Sequence, residues 1–188
     1  MNYLLLIRHS IPDIRANIPS DRWGLSPTGR ACSETLARRL EVYSPQVVIT
    51  SMESKSIETG KIIAGHFGIE SVTAQGLHEH VRDNVGYLEL LDFEKRLAAF
   101  FSQPEKLMLG RETANQALGR FSTALEKALT RFPSGNIAVV THGTVLTLWV
   151  TRITGENPLP FWKRLGMPAL LVFSRPDLQL LEQIDHVE

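Results

Sequence analysis

The apolar residues of this chain fall into short unbroken runs separated by longer stretches with helical spacing. Tyr3 to Ile7, Gln46 to Thr50 and Ile137 to Val140 are such runs. Uninterrupted runs suit strands buried on both faces, as in parallel sheets covered by helices, whereas a strand with one wet face alternates. Ser26 as N-cap and Pro27 at the first helical position open a helix. Its Ala31, Leu36, Ala37 and Leu40 keep the apolar spacing to about Val42. A second helix is expected directly after the second strand. Thr50 and Glu53 have capping-box spacing, Ile57, Ile62, Ile63 and Ala64 follow, and Gly68 is the stop.

Ser71 to Ala74 reads as a short strand. The stretch from about 81 to 110 is less regular, with one helix near Asp92 to Phe101, and reads as an inserted cap-like segment. A long helix runs from about Glu112 to Phe132, and another follows His142 as far as Gly155. Ala169–Phe173 and Leu178–Ile184 flank the turn Arg175-Pro176-Asp177 as a hairpin. The expected fold is therefore α/β: a three-layer α/β/α sandwich with a mostly parallel central sheet and an antiparallel edge, in one domain over residues 1–188.

Composition narrows the partners. Lys plus Arg and Asp plus Glu number 20 each, so net charge makes no case for nucleic acid or an anionic membrane. The single cysteine, Cys32, excludes an intramolecular disulfide framework and points to the cytoplasm. No apolar run is long enough to span a bilayer, and the first residues do not show the basic segment and cleavable apolar core expected of a signal sequence.

Candidate chemistry collects at strand ends. Three apolar strands finish on Arg8-His9, Thr50-Ser51 and Thr141-His142. If they lie side by side and parallel, these residues meet at the carboxyl edge of the sheet, where open α/β sheets bind ligands. A helix starting there favours an anion. A permanent cation beside a potential nucleophile points to chemistry on a phosphate or carboxylate. The loop from Ser10 to Leu25 offers Arg15, Arg22 and Trp23 to line a pocket. His78-Glu79-His80 invites a metal reading, but Arg82 stands where the metalloprotease helix needs its second histidine. Neither a Gly-x-Ser-x-Gly elbow nor a Gly-rich phosphate or dinucleotide loop occurs.

Leu-Leu-Ile-Arg8-His9, the Leu25-Ser-Pro-Thr-Gly29 helix start, Ser51 with a basic residue four on, and Thr141-His142-Gly143 together resemble the histidine phosphatase superfamily, also called phosphoglycerate-mutase-like. The resemblance covers nearly the whole chain. It implies a phosphomonoester hydrolase of the histidine acid phosphatase type, acting on a small phosphorylated metabolite without metal or cofactor. His9 would be the nucleophile and carry a phosphohistidine. Arg8 and His142 would hold the non-bridging oxygens, and Lys55 would take the slot of a phosphate-binding arginine. Ser10, Arg15, Ser51 and Gly143 complete the expected phosphate or substrate contacts. Glu79 would protonate the leaving oxygen and later activate water, a role that requires a raised pKa.

Two departures stand out: Ser10 replaces the motif glycine, and Lys55 lacks the planar fork of arginine. They keep open a weakened member that only binds phosphorylated ligands. A mutase is the other alternative, disfavoured by Ile11-Pro12 and Arg15 in the first loop and by the chain's shortness. Glu112 is placed near the pocket rim, Arg120 is read as a surface charge, and a homodimer stays open.

Overall fold

In the computed structural model, which describes residues 2–187, the run Leu4–Ile7 is wholly buried at the centre of a six-stranded sheet. Its strand, β1 (Asn2–Arg8), lies between β4 (Ile137–Thr141), to which it is parallel, and β5 (Ala169–Arg175), to which it is antiparallel. β2 (Val47–Thr50) pairs parallel with the other side of β4 and with β3 (Glu70–Thr73). β6 (Leu180–Ile184) adds the antiparallel edge, completing the order β3-β2-β4-β1-β5-β6.

Alternate residues of each strand supply two separate cores, as the period of two requires. Leu5 and Ile7 pack with Val48, Ala138 and Val140 against α1 (Pro27–Arg39) and α2 (Ser54–Phe67). Leu4 and Leu6 face the opposite layer, formed by α3 (Leu90–Ser102), α4 (Ala114–Arg131), α5 (Gly143–Thr154) and α6 (Pro158–Arg164). The sheet therefore has helices on both faces, as the uninterrupted apolar runs demand. Leu97 and Phe100 of α3 are fully buried in the second core, so the segment between β3 and α4 shares its hydrophobic interior.

Several boundaries differ from expectation for physical reasons. Thr50 and Glu53 form no capping box; Glu53 is the N-cap of α2 with no side-chain cap bond. The reciprocal box closes instead between Thr113 and Gln116, with Thr113 as N-cap, so α4 starts at Ala114, two residues past Glu112. α6 was not expected: at seven residues it is too short to show a period, although Asn157 caps it and Pro158 opens it. Gly29 in the first turn of α1 is required by contact, because a Cβ there would sit 2.1 Å from the Ile11 carbonyl oxygen.

Candidate active site

Strand order converts three separate stretches of sequence into one place. β2, β4 and β1 are adjacent and parallel, so Ser51, His142 and His9 lie past neighbouring carboxyl ends. The His9 and His142 rings meet edge to face with centroids 5.0 Å apart, and both are buried. His9 Nδ1 lies 2.7 Å from the Ser10 carbonyl oxygen. A carbonyl only accepts, so Nδ1 carries the proton and the Nε2 lone pair stays free. Burial first, and then the nearby charges of Lys55 and Arg8, hold the His9 pKa well below its ordinary value, which keeps the ring neutral.

Ser51 Oγ accepts from Glu53 N–H at 3.3 Å and lies 2.6 Å from His142 Nε2. We assign the hydroxyl hydrogen to Nε2, which leaves a proton on His142 Nδ1, a buried atom with no partner among the described residues. Burial, only partly opposed by Glu53, brings the His142 pKa down to about 4.

Arg8 donates through Nη1 to the Leu165 carbonyl, while its Nε is buried without a partner among the described residues. Burial lowers this guanidinium to about 10, which leaves it charged at neutral pH. The missing side chain of Gly143 makes room for it: a Cβ there would come within 3.0 Å of the guanidinium carbon. Ser10 donates its N–H to Thr59 Oγ1 at 3.1 Å, and its own Oγ is buried with no partner among the described residues. Its backbone is not among the positive-φ residues, so the exchange of glycine for serine imposes no left-handed strain here.

Lys55 is buried beside this cluster, but its ammonium is engaged by Glu53 Oε2 at 2.5 Å and the Ser20 carbonyl at 2.7 Å. Glu53 also accepts Glu79 N–H at 2.8 Å and lies 3.4 Å from His142 Nε2. Burial opposes its ionisation, yet His142 and Lys55 outweigh that and keep its pKa below normal. Sequence reading treated Glu53 as a cap; only the extended backbone before α2 turns it into the pocket. Arg15 is placed differently from expectation: its exposed guanidinium pairs with Asp13 at 2.8 Å.

Glu79 is held by backbone. Thr144 and Val145 N–H, in the first turn of α5, donate to its carboxylate at 3.1 and 3.3 Å, and His80 N–H at 2.9 Å. The anion expected at this helix start is thus the protein's own carboxylate. Burial alone would raise its pKa, but His142, Arg82 and His80 bring it down to about 2, opposite to the shift that a resting general acid requires.

The segment bearing Glu79 is clasped from α4. Arg120 Nη1 donates to the Gly76 and His78 carbonyls at 2.7 and 2.9 Å, and Nη2 donates to Glu112 at 2.5 Å. Glu112 in turn accepts Val81 N–H at 2.8 Å. Arg120 is thus a half-buried organiser of this loop rather than a surface charge. His80 is also not surface; it is buried on Phe100 and bonds the Leu109 carbonyl through Nε2. Among the described residues, no group of His, Cys, Asp and Glu is placed to hold a metal ion, and no helix is long and apolar enough to cross a membrane.

Residues 4–174 match the model of the histidine phosphatase superfamily (branch 1). The chain is 22% identical over 166 residues to the uncharacterized phosphatase PhoE of Bacillus subtilis, covering 84% of this chain and 80% of the relative. Its fold is similar to that of Bacillus stearothermophilus YhfR, with TM-score 0.77 and 18% identity over the whole of both chains. It also resembles phosphoserine phosphatase from Entamoeba histolytica in complex with 3-phosphoglyceric acid, with TM-score 0.76, 17% identity and coverage of 99% and 98%. For the mycobacterial glucosyl-3-phosphoglycerate phosphatase the corresponding values are 0.72, 15%, 91% and 89%.

Proposed function

This chain belongs to the histidine phosphatase superfamily, and from that premise we propose that it hydrolyses a phosphomonoester of a small metabolite in the cytoplasm, through a phosphohistidine at His9. The observation that carries this reading is the state of His9: neutral, with Nδ1 bonded to the Ser10 carbonyl and Nε2 left as a nucleophile. The substrates in the names of the phosphoserine and glucosyl-3-phosphoglycerate phosphatases support a small phosphorylated metabolite.

The Nε2 lone pair attacks phosphorus in line, the P–O ester bond breaks, and the leaving oxygen keeps its electron pair and takes a proton. Water then attacks the phosphohistidine, the P–N bond breaks with its electrons returning to Nε2, and inorganic phosphate leaves. Arg8, Ser10 Oγ and His142 Nδ1–H are the donors for the non-bridging oxygens, where charge spreads in the transition state. Side chains carry that charge in this reading, so excess chelator should leave turnover intact.

Glu79 is the proton carrier. A phosphoryl dianion beside the carboxylate opposes its ionisation and draws its pKa upward, so the group can pick up a proton only once substrate is bound.

The test is phosphate release from an aryl phosphate, with intact mass followed over time. Wild type should turn over, His9→Ala should not, and Glu79→Gln should accumulate a phosphorylated protein. Release that survives His9→Ala would remove the mechanism. Phosphate binding by a wild type that turns nothing over would instead favour the binding-only reading, for which the Lys55–Glu53 pair is the motive.

A further inference from the structure

Lys55 is occupied by Glu53, so the position that the resemblance fills with an arginine offers no planar, forked anion contact. Arg82 is the one candidate that the geometry favours. It follows Glu79 by three residues, and its guanidinium rests on Phe93, whose neighbour Trp162 carries Arg8. Its Nη1 is buried and meets no hydrogen-bond acceptor among the described residues.

The position of Arg82 is built rather than incidental. Arg111 N–H donates to the Val81 carbonyl at 2.7 Å, and Glu112 takes Val81 N–H at 2.8 Å, which fixes the backbone immediately before it. Gly110, with φ +77°, passes so close that a Cβ would lie 2.9 Å from the Arg82 Cα. The guanidinium lies over the Phe93 ring at 4.3 Å. Phe93 meets Trp162 edge to face at 5.7 Å, and Trp162 carries Arg8 at 5.7 Å. Two guanidiniums thus rest on one aromatic pair, each retaining a buried N–H without a partner, Nε of Arg8 and Nη1 of Arg82. Aromatic faces hold a guanidinium in place without using its in-plane donors.

We propose that Arg82 is a second oxyanion-binding residue of this site, supplying the forked contact that Lys55 does not. This rests on the phosphatase reading of the site. The oxyanion is either the phosphoryl group itself or a carboxylate elsewhere on the substrate, and the same chemistry recognises both.

Three proteins decide it: wild type, Arg82→Met, which keeps an apolar stem over Phe93, and Arg82→Lys, which keeps the charge without the fork. Two readouts are inhibition by inorganic phosphate and kcat/KM for an aryl phosphate against a phosphorylated carboxylic acid. If the phosphoryl group is the ligand, Arg82→Met should weaken phosphate inhibition roughly 10- to 100-fold, with Arg82→Lys in between. If the carboxylate is the ligand, phosphate inhibition stays put and only the carboxylated substrate loses that factor. A folded Arg82→Met with neither change overturns the proposal; where that variant does not fold, Arg82→Lys with wild-type values does the same. Should wild type release no phosphate from any ester, the hydrolase reading fails, yet the variants' affinities for inorganic phosphate and for a phosphorylated carboxylic acid, measured by calorimetry, still decide Arg82: no change in either overturns the proposal.

Discussion

The resemblance assigns Lys55 the slot of a phosphate-binding cation, but its ammonium already has a carboxylate at 2.5 Å in a buried setting. An arriving phosphate would have to compete with Glu53 for that charge, so the pair lowers anion affinity at the very position that should raise it. Glu53→Gln removes the competitor while preserving shape and the acceptor for Glu79 N–H. Inorganic phosphate should then inhibit about tenfold more strongly, the equivalent of one charge-assisted contact. Lys55→Met has the opposite logic: it strands Glu53 next to neutral His142 and should cost about 3 kcal/mol of stability, read by denaturant unfolding. An unchanged inhibition constant in Glu53→Gln would mean that Lys55 does not face the phosphate at all.

At the level of elements, Arg120 on α4 holds the segment that carries Glu79, donating to the Gly76, His78 and Glu79 carbonyls, and in the proposed mechanism catalysis would depend on that hold. Removing the clasp in Arg120→Met should lower kcat roughly 10- to 100-fold by misplacing Glu79. Phosphate inhibition should weaken less than in Arg82→Met, because Arg120 shares Glu112 with the Val81 backbone before Arg82 but has no partner in common with the β1 and β4 ends. Arg120→Lys should recover part of kcat; an Arg120→Met enzyme with normal kcat would show that Glu79 needs no such support. The same contrast explains what could be read in advance. Arg8, His9, Ser51 and His142 were legible because buried parallel strands announce themselves as apolar runs, and their ends then share an edge by topology. Glu53, Arg82 and Arg120 were not, because each acts from a loop or a helix flank whose direction is set by contacts distant in sequence. Spacing could mark Glu53 as the capping-box partner of Thr50 and Arg120 as a surface charge, yet Glu53 turns its carboxylate to Lys55 and Glu79 N–H, and Arg120 is engaged by backbone carbonyls.

For the whole molecule, the site is a concentration of groups whose pKa values folding displaces in the same thermodynamic direction. His9, His78, His80 and His142 all have lowered values, burial being the first cause in each case. Below pH of about 6.5 the unfolded chain takes up protons on these rings that the folded chain refuses, so stability must fall as pH falls. His142, displaced to about 4, has lost its full contribution once pH drops below that value. That contribution is on the order of 3 kcal/mol, a large fraction of the roughly 5–15 kcal/mol that holds a domain together. Glu53 and Glu79 act with the same sign further down: their lowered values stabilise the fold above the ordinary carboxylate range, and the gain disappears as pH falls through it toward the folded value, about 2 for Glu79. Urea unfolding should therefore show stability declining from about pH 6.5 downward, well before ordinary surface carboxylates titrate. His142→Gln should flatten the upper part of that decline, between about pH 6.5 and 4, because glutamine takes up no proton in either state. A wild-type stability that is level from pH 7 to 5 would mean that the buried imidazoles are not held neutral, and the nucleophile proposed at His9 would lose its physical basis.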